Sequence, residues 1–449
     1  MNHEINPIVY ILIERTEREL DSKLLVALFL LKKGFHVVLG HQWALAANRD
    51  CWPAGVFFFK SMNKIHTQWM AKVRQFGHIA VALEEELLDE CISSPNVHGF
   101  FDDVYSNDAS CYCQLLLAKH EFEVRMIKQI MPELTVRLTG NPRTDFLRQE
   151  LVASYDLERE GISKAISSRF VLINTNTAHI NSNLSADQIL ELYKKATLGG
   201  SSIGEREWIK RHNERMDVLL KWEKYNLKSI CRLVELFGRN GFNQKVIIRP
   251  HPSESLDIYT RLSNKYRYVE VANNQESARP WILASDILIH TGCTTGSEAV
   301  AMGHPTISIQ EKGSEHIQFQ ASNNVSYLTH DAEEAYQAVQ DFYAGKLKLG
   351  DNAKLKKLWP AQDGKFAAER IADEIHNSYL NLGGEVNDFE LVLSGKFKQV
   401  RLTDFYKTKM FVELSQVEQI LRQIYQQLPD MLQIKLYEIS RNVFYMRPS

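Results

Sequence analysis

Residues 286–305 read DILIHTGCTTGSEAVAMGHP, and this stretch predicts a short buried strand, a loop of small residues and the first turns of a helix. The loop runs from Thr291 to Gly296 and is rich in glycine and threonine. A strand that passes directly into a helix is half of a parallel β–α–β unit. Because the same order recurs along the chain, this stretch indicates the fold class of the whole protein.

Further strands of this kind lie on both sides of that stretch. In the N-terminal third we predict strands at 7–13, 36–41, 55–60, 78–83, 103–106 and 135–140, with helices over 18–34, 43–49, 63–76 and 111–131. A second series has strands at 170–177, 245–252, 266–272, 286–292, 305–310 and 325–329, with a long helical region over about 204–240. Short apolar strands that alternate with helices imply parallel sheets covered by helices on both faces.

The predicted architecture is therefore α/β, with two tandem Rossmann-like αβα domains and a helical C-terminal extension. The first domain covers 1–150 and the second 151–362, because the polar stretch 147–168 lacks a strand. Helical patterns follow 363 and recur at 414–427, so 363–449 is predicted to be helical and either returns to the first domain or forms an interface.

Composition excludes several classes of protein. The 449 residues carry 53 Lys and Arg against 55 Asp and Glu, so no net positive charge is available to hold nucleic acid. The longest apolar run, Leu24 to Leu31, is far shorter than the roughly 20 residues of a membrane span. Six scattered cysteines form no Cys-x-x-Cys pair. We expect a cytoplasmic protein, with contact to the inner face of the cytoplasmic membrane left open.

The loop after the strand of 286–292 is suited to an anion. Unpaired N–H groups and the positive end of the dipole lie at a helix N-terminus, and glycine lets a ligand approach the backbone. We predict a phosphate site at this loop, formed by Thr291, Gly292, Thr294, Thr295 and Gly296. The alternative is an ordinary strand-to-helix turn in which threonine is the N-cap.

A second candidate segment, VIIRPHPSES at 246–255, places Arg249 and His251 between two prolines at the end of a strand. Ligands bind at the carboxyl ends of strands in open α/β sheets, so this bend and the threonine loop are predicted to share one pocket. In the alternative, His251 only caps the next helix.

Carboxylates in the first domain are candidates for catalysis. VALEEELLDE at 81–90 predicts that Glu85, or else Glu84 or Glu86, acts as base or nucleophile at a strand end, although an acidic run is usually a solvated face. Glu14 and Arg18 in IERTERELD, and Asn141 and Arg143 in TGNPRTD, are predicted to contact the acceptor in the cleft. For TGNPRTD, an ion pair between Arg143 and Asp145 or one linking the domains is slightly preferred.

A metal site is not expected. Asp102 and Asp103 are adjacent acidic residues, but they begin a predicted strand and lack a third ligand. No Cys and His cluster has zinc-ligand spacing. We therefore predict neither a metal nor a cofactor.

The order of these motifs resembles a known family. RELD (18–21), ALEEEL (82–87), TGNPRTD (139–145), NTN (174–176), RPHP (249–252) and HTGCTTGSEA (290–299) are similar to the bacterial surface carbohydrate biosynthesis protein family, over residues 7 to 330. The tandem domains look like metal-independent glycosyltransferases of the GT-B type. The His-Pro and threonine loops are also similar to capsule and lipopolysaccharide transferases that use CMP-activated 3-deoxy-octulosonate (Kdo).

This resemblance implies a donor, an acceptor and roles for named residues. The donor is a nucleotide sugar, CMP-Kdo or a related 2-keto sugar acid, and the acceptor is a surface polysaccharide or lipid-linked glycan. His251 and the hydroxyls of Thr291, Thr294 and Thr295 would hold the CMP phosphate. The remaining donor-side residues are Arg249, Asn174, Asn176 and Glu298, the last toward donor hydroxyls. Leu87 stands where the pattern has glycine, which weakens the catalytic assignment in the triplet.

Three alternatives to glycosyl transfer stay open. A nucleotide-sugar 2-epimerase shares the tandem domains and a glycine-rich loop before a helix with a glutamate. A CDP-glycerol glycerophosphotransferase resembles the His-Pro and threonine-loop pattern. A non-catalytic nucleotide- or glycan-binding protein would bind without turnover. The sequence leaves the stereochemistry and the oligomeric state undecided.

Overall fold

The computed structural model describes residues 7–85, 105–106, 108–197, 204–273, 276–314, 320–347, 355, 359, 364–381 and 412–449. These residues form two compact units. The first unit contains the described residues up to 154 and those from 359 onward, and the second contains those from 155 to 355. Each unit is built on one β-sheet, which confirms the predicted α/β class with two Rossmann-like domains.

The two sheets together contain fourteen strands among the described residues. In the first unit they are β1 (Ile8–Ile13), β2 (His36–His41), β3 (Val56–Phe59), β4 (Ile79–Leu83), β5 (Leu115–Ala118), β6 (Val136–Leu138), β13 (Ile434–Ser440) and β14 (Val443–Pro448). In the second unit they are β7 (Phe170–Asn174), β8 (Lys245–Arg249), β9 (Val269–Val271), β10 (Ile287–His290), β11 (Thr306–Ile309) and β12 (Tyr327–Thr329).

Helices connect these strands. The first unit has α1 (Thr16–Lys32), α2 (Gln42–Ala47), α3 (Lys64–Arg74), α4 (Glu121–Ile130), α5 (Gln149–Val152), α14 (Ala367–Asn381) and α15 (Leu414–Gln427), with 3₁₀ turns at Ala109–Cys111 and Pro142–Leu147. The 3₁₀ turn Ala153–Tyr155 precedes the second unit, which has α6 (Asp156–Ile166), α7 (Ala186–Thr197), α8 (Glu205–Arg239), α9 (Asp257–Lys265), α10 (Ala278–Ala284), α11 (Thr294–Ala301), α12 (Gln320–Val325) and α13 (Ala332–Tyr343).

The first sheet has the strand order β13-β14-β2-β1-β3-β4-β5-β6, and the strands from β1 to β6 are parallel. Its central strand β1, IVYILI, is buried at all six positions, as expected for a strand covered on both faces. The chain leaves β1 toward β2 on one side and reaches β3 on the other. The crevice between β1 and β3 is therefore the topological switch point, where open α/β sheets bind ligands.

The second sheet has the order β12-β11-β10-β7-β8-β9, and all of its strands are parallel. Counted from β7, this is the 3-2-1-4-5-6 order of Rossmann sheets, with its switch point between β7 and β10. The C-terminal half of α8 covers the sheet with Ile230, Leu233, Val234 and Phe237. Their spacing of three and four residues places them on one helical face.

Two sequence predictions about the elements are wrong. The helix predicted over 111–131 is a strand, β5, followed by α4, because the apolar run LLLA pairs between β4 and β6 and the side chain of His120 caps the helix. The C-terminal extension is not only helical. Strands β13 and β14 form an antiparallel pair around Asn442, and β14 continues the first sheet beside β2.

The strand predicted at 103–106 lies partly outside the described residues. Of its described positions, Tyr105 and Ser106 are not in a strand, and the Tyr105 hydroxyl donates to Glu123 Oε1 at 2.5 Å. None of the described helices is long and apolar enough to cross a membrane.

Candidate functional site

The first candidate site lies at the carboxyl edge of the second sheet, around residues 174–176. Strand β7 ends at Asn174, between β8 on one side and β10 on the other. The two loops singled out in the sequence leave β8 and β10 at this edge. Because the edge coincides with the switch point of a Rossmann sheet, it is the expected place for a nucleotide.

Hydrogen bonds join both loops to residues 174–176. On the β10 side, Asn174 Nδ2 donates to Thr295 Oγ1 at 3.1 Å, and Asn176 Nδ2 donates to Gly292 O at 3.3 Å. On the β8 side, Thr175 N donates to Arg249 O at 3.3 Å, and the backbone N–H of His251 donates to Thr175 Oγ1 at 3.3 Å. The bend at 249–252 and the loop at 291–296 thus flank the same three residues.

The residues of this edge differ in their access to solvent. His251 is exposed, and Asn176, Thr294 and Thr295 are half-buried, so each presents polar atoms to a ligand. Thr291 is fully buried, with a hydroxyl that has no hydrogen-bond partner among the described residues. Direct phosphate contact by the Thr291 hydroxyl, expected from the sequence, therefore does not fit this arrangement.

His290 gives the loop its shape, a role that sequence reasoning missed. Its Nδ1 accepts from the N–H groups of Gly292, at 3.1 Å, and Cys293, at 3.3 Å. The proton of the neutral ring must then be on Nε2, which lies 2.9 Å from Ser326 Oγ. Burial lowers the pKa of His290 to about 3, so the ring stays neutral at physiological pH.

The backbone and packing of the loop require glycine at two positions, 292 and 296. Gly292 has φ +80°, a backbone conformation that favours glycine. A Cβ atom on Gly296 would lie 2.3 Å from His290 Nε2, which is well inside van der Waals contact. The glycine at 296 lets α11 start directly against the His290 ring.

The N-terminus of α11 lies at this edge, where the sequence predicts an anion site. Its N-cap residue is Cys293, whose side chain makes no capping hydrogen bond to the first turn. Burial raises the pKa of the Cys293 thiol, so it does not supply an anion of its own there. The positive end of the helix dipole therefore stays available for an anion from outside the protein.

Two charged residues predicted for the donor are engaged within the protein. Arg249 is 7% exposed and its Nη2 donates to Glu276 O. Glu298 accepts from Arg279 Nε at 3.0 Å, and Arg279 Nη1 in turn donates to the Tyr155 hydroxyl at 2.6 Å. These contacts place Glu298 in an ion pair rather than toward donor hydroxyls.

The second candidate site is a network of buried charges at the carboxyl edge of the first sheet. Glu84 accepts from the Ser61 hydroxyl, and its carbonyl oxygen accepts from Lys119 Nζ at 2.7 Å. Glu85 forms an ion pair with Lys23 of α1. The Glu85 carbonyl accepts from Asn141 Nδ2 at 3.4 Å and Arg143 Nη1 at 3.3 Å. Two of the predicted segments, 81–90 and 139–145, therefore meet here, together with helix α1.

Glu85 is the most enclosed of these carboxylates. Its side chain is 2% exposed, and Oε2 is buried with no hydrogen-bond partner among the described residues. Burial raises the pKa of Glu85, and the Lys23 ammonium opposes this rise. Glu84 is also buried, at 2% exposed. Glu86 lies outside the described residues, as do Asp102 and Asp103.

Glu14 is the more accessible carboxylate of this edge. It forms an ion pair with Lys60, and its side chain is 34% exposed. Lys60 also contacts Glu19 Oε1 at 3.1 Å, and Glu19 Oε2 accepts from the Glu14 backbone N–H at 2.8 Å. Arg18 is exposed on α1. The sequence analysis did not identify Lys23 and Lys60 as part of this site, because lysine is normally a surface residue. Both are buried here.

Asp145 does not pair with Arg143. Its two carboxylate oxygens accept from the backbone N–H groups of Ala367 and Ala368, both at 2.9 Å, at the start of α14. The Arg143 side chain instead donates to the Glu85 carbonyl, so the predicted Arg143–Asp145 ion pair is wrong. Asp145, the last residue of TGNPRTD, thus binds the start of α14 within the first unit. Among the described residues, no group of three or more His, Cys, Asp and Glu side chains is placed to hold a metal.

Comparisons with known proteins give similarities to solved structures alone. No family model and no curated protein matches the chain. The wall teichoic acid polymerase TagF is similar at 11% identity, over 84% of this chain and 90% of that chain, with a TM-score of 0.47. The UDP-GlcNAc 2-epimerase of Methanocaldococcus jannaschii, in complex with UDP-GlcNAc and UDP, is similar at 12% identity, over 83% of this chain and 99% of that chain, with a TM-score of 0.46.

A third structure, MnaA of S. aureus with UDP, is similar at 12% identity, over 85% of this chain and 100% of that chain, with a TM-score of 0.47. With identities near one residue in ten and TM-scores of this size, we draw no conclusion about activity from these similarities.

Proposed function

We propose that the chain is a glycosyltransferase of the GT-B type, which moves a sugar from a nucleotide-activated donor to a bacterial surface glycan. The observation that carries the proposal is the meeting of loops 249–252 and 291–296 at residues 174–176. This edge is where Rossmann sheets bind nucleotides. The donor is CMP-Kdo or a related 2-keto sugar acid, a choice that rests on the resemblance of RPHP and HTGCTTGSEA to Kdo transferases.

The hydrogen-bond donors of the edge suit the leaving group of such a reaction. As the bond to the sugar breaks, negative charge gathers on the nucleotide phosphate. The N–H groups at the start of α11 and the hydroxyls of Thr294 and Thr295 are donors for that phosphate. His251 Nδ1 accepts from Ser253 N at 3.2 Å, so the neutral ring carries its proton on Nε2 and adds one more donor.

In this proposal a carboxylate of the first unit removes the proton from the acceptor hydroxyl. The acceptor hydroxyl gives its proton to a carboxylate, its oxygen bonds to the anomeric carbon, and CMP leaves with the electron pair of the broken bond. Glu85 stays our first choice for this base from its place at the end of β4, and burial raises its pKa in the direction that a base at neutral pH requires. Because its side chain is only 2% exposed, this role requires the edge to open when the acceptor binds. For a retaining reaction the same carboxylate would attack the anomeric carbon.

A nucleotide panel tests the donor site. A ligand that binds only the folded state raises the melting temperature, so CMP, UDP, GDP and CDP are compared by thermal shift. We expect a shift with CMP that exceeds those with UDP and GDP. CMP release from CMP-Kdo, followed with an added glycan acceptor, then tests transfer. A panel without any shift would contradict the proposal.

Other outcomes identify the alternatives. Conversion of UDP-GlcNAc without an acceptor, seen by NMR, would indicate a 2-epimerase. Release of CMP from CDP-glycerol would indicate glycerophosphate transfer. Saturable CMP binding without turnover on any acceptor would indicate a binding protein. Each of these results replaces sugar transfer from CMP-Kdo as the function.

A further inference from the structure

The segment after β7 and the bend after β8 are joined through one buried carboxylate. Glu254 is 1% exposed and lies two residues beyond the RPHP bend. Its Oε1 accepts from the backbone N–H of Thr177 at 2.8 Å. Its Oε2 accepts from the hydroxyls of Thr175, at 2.8 Å, Thr177, at 2.9 Å, and Tyr259, at 2.5 Å. Both oxygens thus accept hydrogen bonds within the second unit.

Thr175 differs from the other partners of Glu254 because its hydroxyl also accepts a hydrogen bond from the backbone of His251. Thr175 has a single hydroxyl hydrogen, and that hydrogen is donated to Glu254. The Thr175 oxygen then has lone pairs left to accept the backbone N–H of His251 at 3.3 Å. A hydroxyl that donates to a carboxylate is polarised and becomes a better acceptor. The order of bonds is therefore His251 N–H to Thr175 to Glu254.

Further contacts hold the same two segments together. Ser255 N donates to Asn181 O at 2.7 Å, and Asn181 Nδ2 donates to Ser255 O at 2.9 Å. These bonds fix residues beyond the bend, whereas Thr175 contacts the backbone of His251 itself. Thr175 is 2% exposed, so it touches no ligand directly.

We infer that Thr175 and Glu254 are positioning residues of the donor site, and that they act through the backbone of His251. This inference rests on the proposed function, because His251 is the exposed donor that the bend presents to the nucleotide phosphate. Without the Thr175 hydroxyl, the backbone N–H of His251 loses its hydrogen bond to residues 174–176 at the end of β7. The site then binds the nucleotide less tightly although the sheet beneath it is unchanged.

A matched pair of variants tests the inference. Thr175→Val and Tyr259→Phe each remove one hydroxyl from Glu254 Oε2 and keep the size of the side chain. Only Thr175→Val also removes the acceptor of the His251 N–H. We expect Thr175→Val to weaken CMP binding about tenfold, and Tyr259→Phe to leave it within about twofold, at similar losses of melting temperature. Calorimetric titration with CMP measures the binding.

Thr175→Ser controls for the role of the hydroxyl. Serine keeps both hydrogen bonds, so this variant should restore the affinity lost in Thr175→Val. Equal CMP affinity in Thr175→Val and Tyr259→Phe would overturn the inference, because a purely structural carboxylate predicts equal effects. Absence of CMP binding to the wild-type protein would instead overturn the proposed function, so the two failures are distinguishable.

Discussion

A substitution of Gly296 by alanine tests the packing that shapes the threonine loop. The new Cβ would lie 2.3 Å from Nε2, 2.6 Å from Cε1 and 2.8 Å from Cδ2 of His290. The ring cannot easily move away, since Nδ1 holds the N–H groups of Gly292 and Cys293 and Nε2 contacts Ser326. Relief of the clash therefore requires either a shift of α11 or the loss of these hydrogen bonds.

The expected cost follows from these contacts. Overpacking a well-packed interior costs about 1–3 kcal/mol. One lost hydrogen bond of the buried ring adds about 1 kcal/mol. Gly296→Ala should therefore lower the free energy of unfolding of the second unit by about 2–4 kcal/mol. Urea denaturation followed by tryptophan fluorescence measures this change.

Gly161 is the matched control in the same unit. It lies exposed in helix α6, and a Cβ added there meets no atom within 4 Å. Gly161→Ala should raise the free energy of unfolding by about 0.5–1 kcal/mol, because alanine favours the helix over glycine. A Gly296→Ala protein as stable as wild type, beside a stabilised Gly161→Ala protein, would refute the packing described for His290.

Three further predictions concern the first unit and the carboxylate proposed as base. Burial raises the pKa of Asp145 from 3.8 to about 7, so the folded state binds this proton more tightly than the unfolded state. The contribution of Asp145 to the free energy of unfolding should thus fall as pH rises from about 4 to 7, and Asp145→Asn should remove this contribution in denaturation at several pH values; a pH dependence identical to that of wild type would contradict the assignment. Lys23→Met leaves the Glu85 charge buried without its partner and should cost about 3–5 kcal/mol, whereas Lys23→Met combined with Glu85→Gln should recover part of this; a double variant no more stable than Lys23→Met would speak against the ion pair. In that same double variant, turnover of CMP-Kdo should fall about 10²-fold or more if Glu85 is the base, with CMP affinity retained; wild-type turnover would move the role to another carboxylate.

The meeting of loops 249–252 and 291–296 at one sheet edge could be predicted from the sequence, because it depends on the local order of strands and loops. RPHP and HTGCTTG each follow an apolar strand, and parallel strands bring their carboxyl ends to one edge. The sequence does not tell which threonine of the loop is exposed. That depends on the turn at Gly292 and on the His290 ring, which bury Thr291 and leave Thr294 and Thr295 accessible.

The buried network of the first unit depends on contacts between distant parts of the chain. Lys23 meets Glu85 across 62 residues, and Asp145 meets Ala367 across 222 residues. Neither partner is marked by its local sequence, because Lys23 lies in an apolar helix and Asp145 in a turn. The C-terminal strands were missed for a similar reason. The segment IKLYEIS of β13 is half-buried, so its pattern does not indicate a core strand. Strand β14 joins the sheet by pairing with β2, which is distant in sequence.

The measurement that tests the central claim most directly is the affinity for CMP of two threonine-to-glutamate variants. Thr295→Glu places a negative charge at the start of α11, where the phosphate is proposed to bind, and Thr260→Glu adds the same charge at an exposed position of α9. Like charges about 4 Å apart near a protein surface repel by about 4 kcal/mol. A repulsion of this size corresponds to about 10³-fold in affinity. Thr295→Glu should therefore weaken CMP binding by about 10³-fold, while Thr260→Glu binds as wild type does. Equal affinities for CMP in both variants would contradict a nucleotide site at this helix.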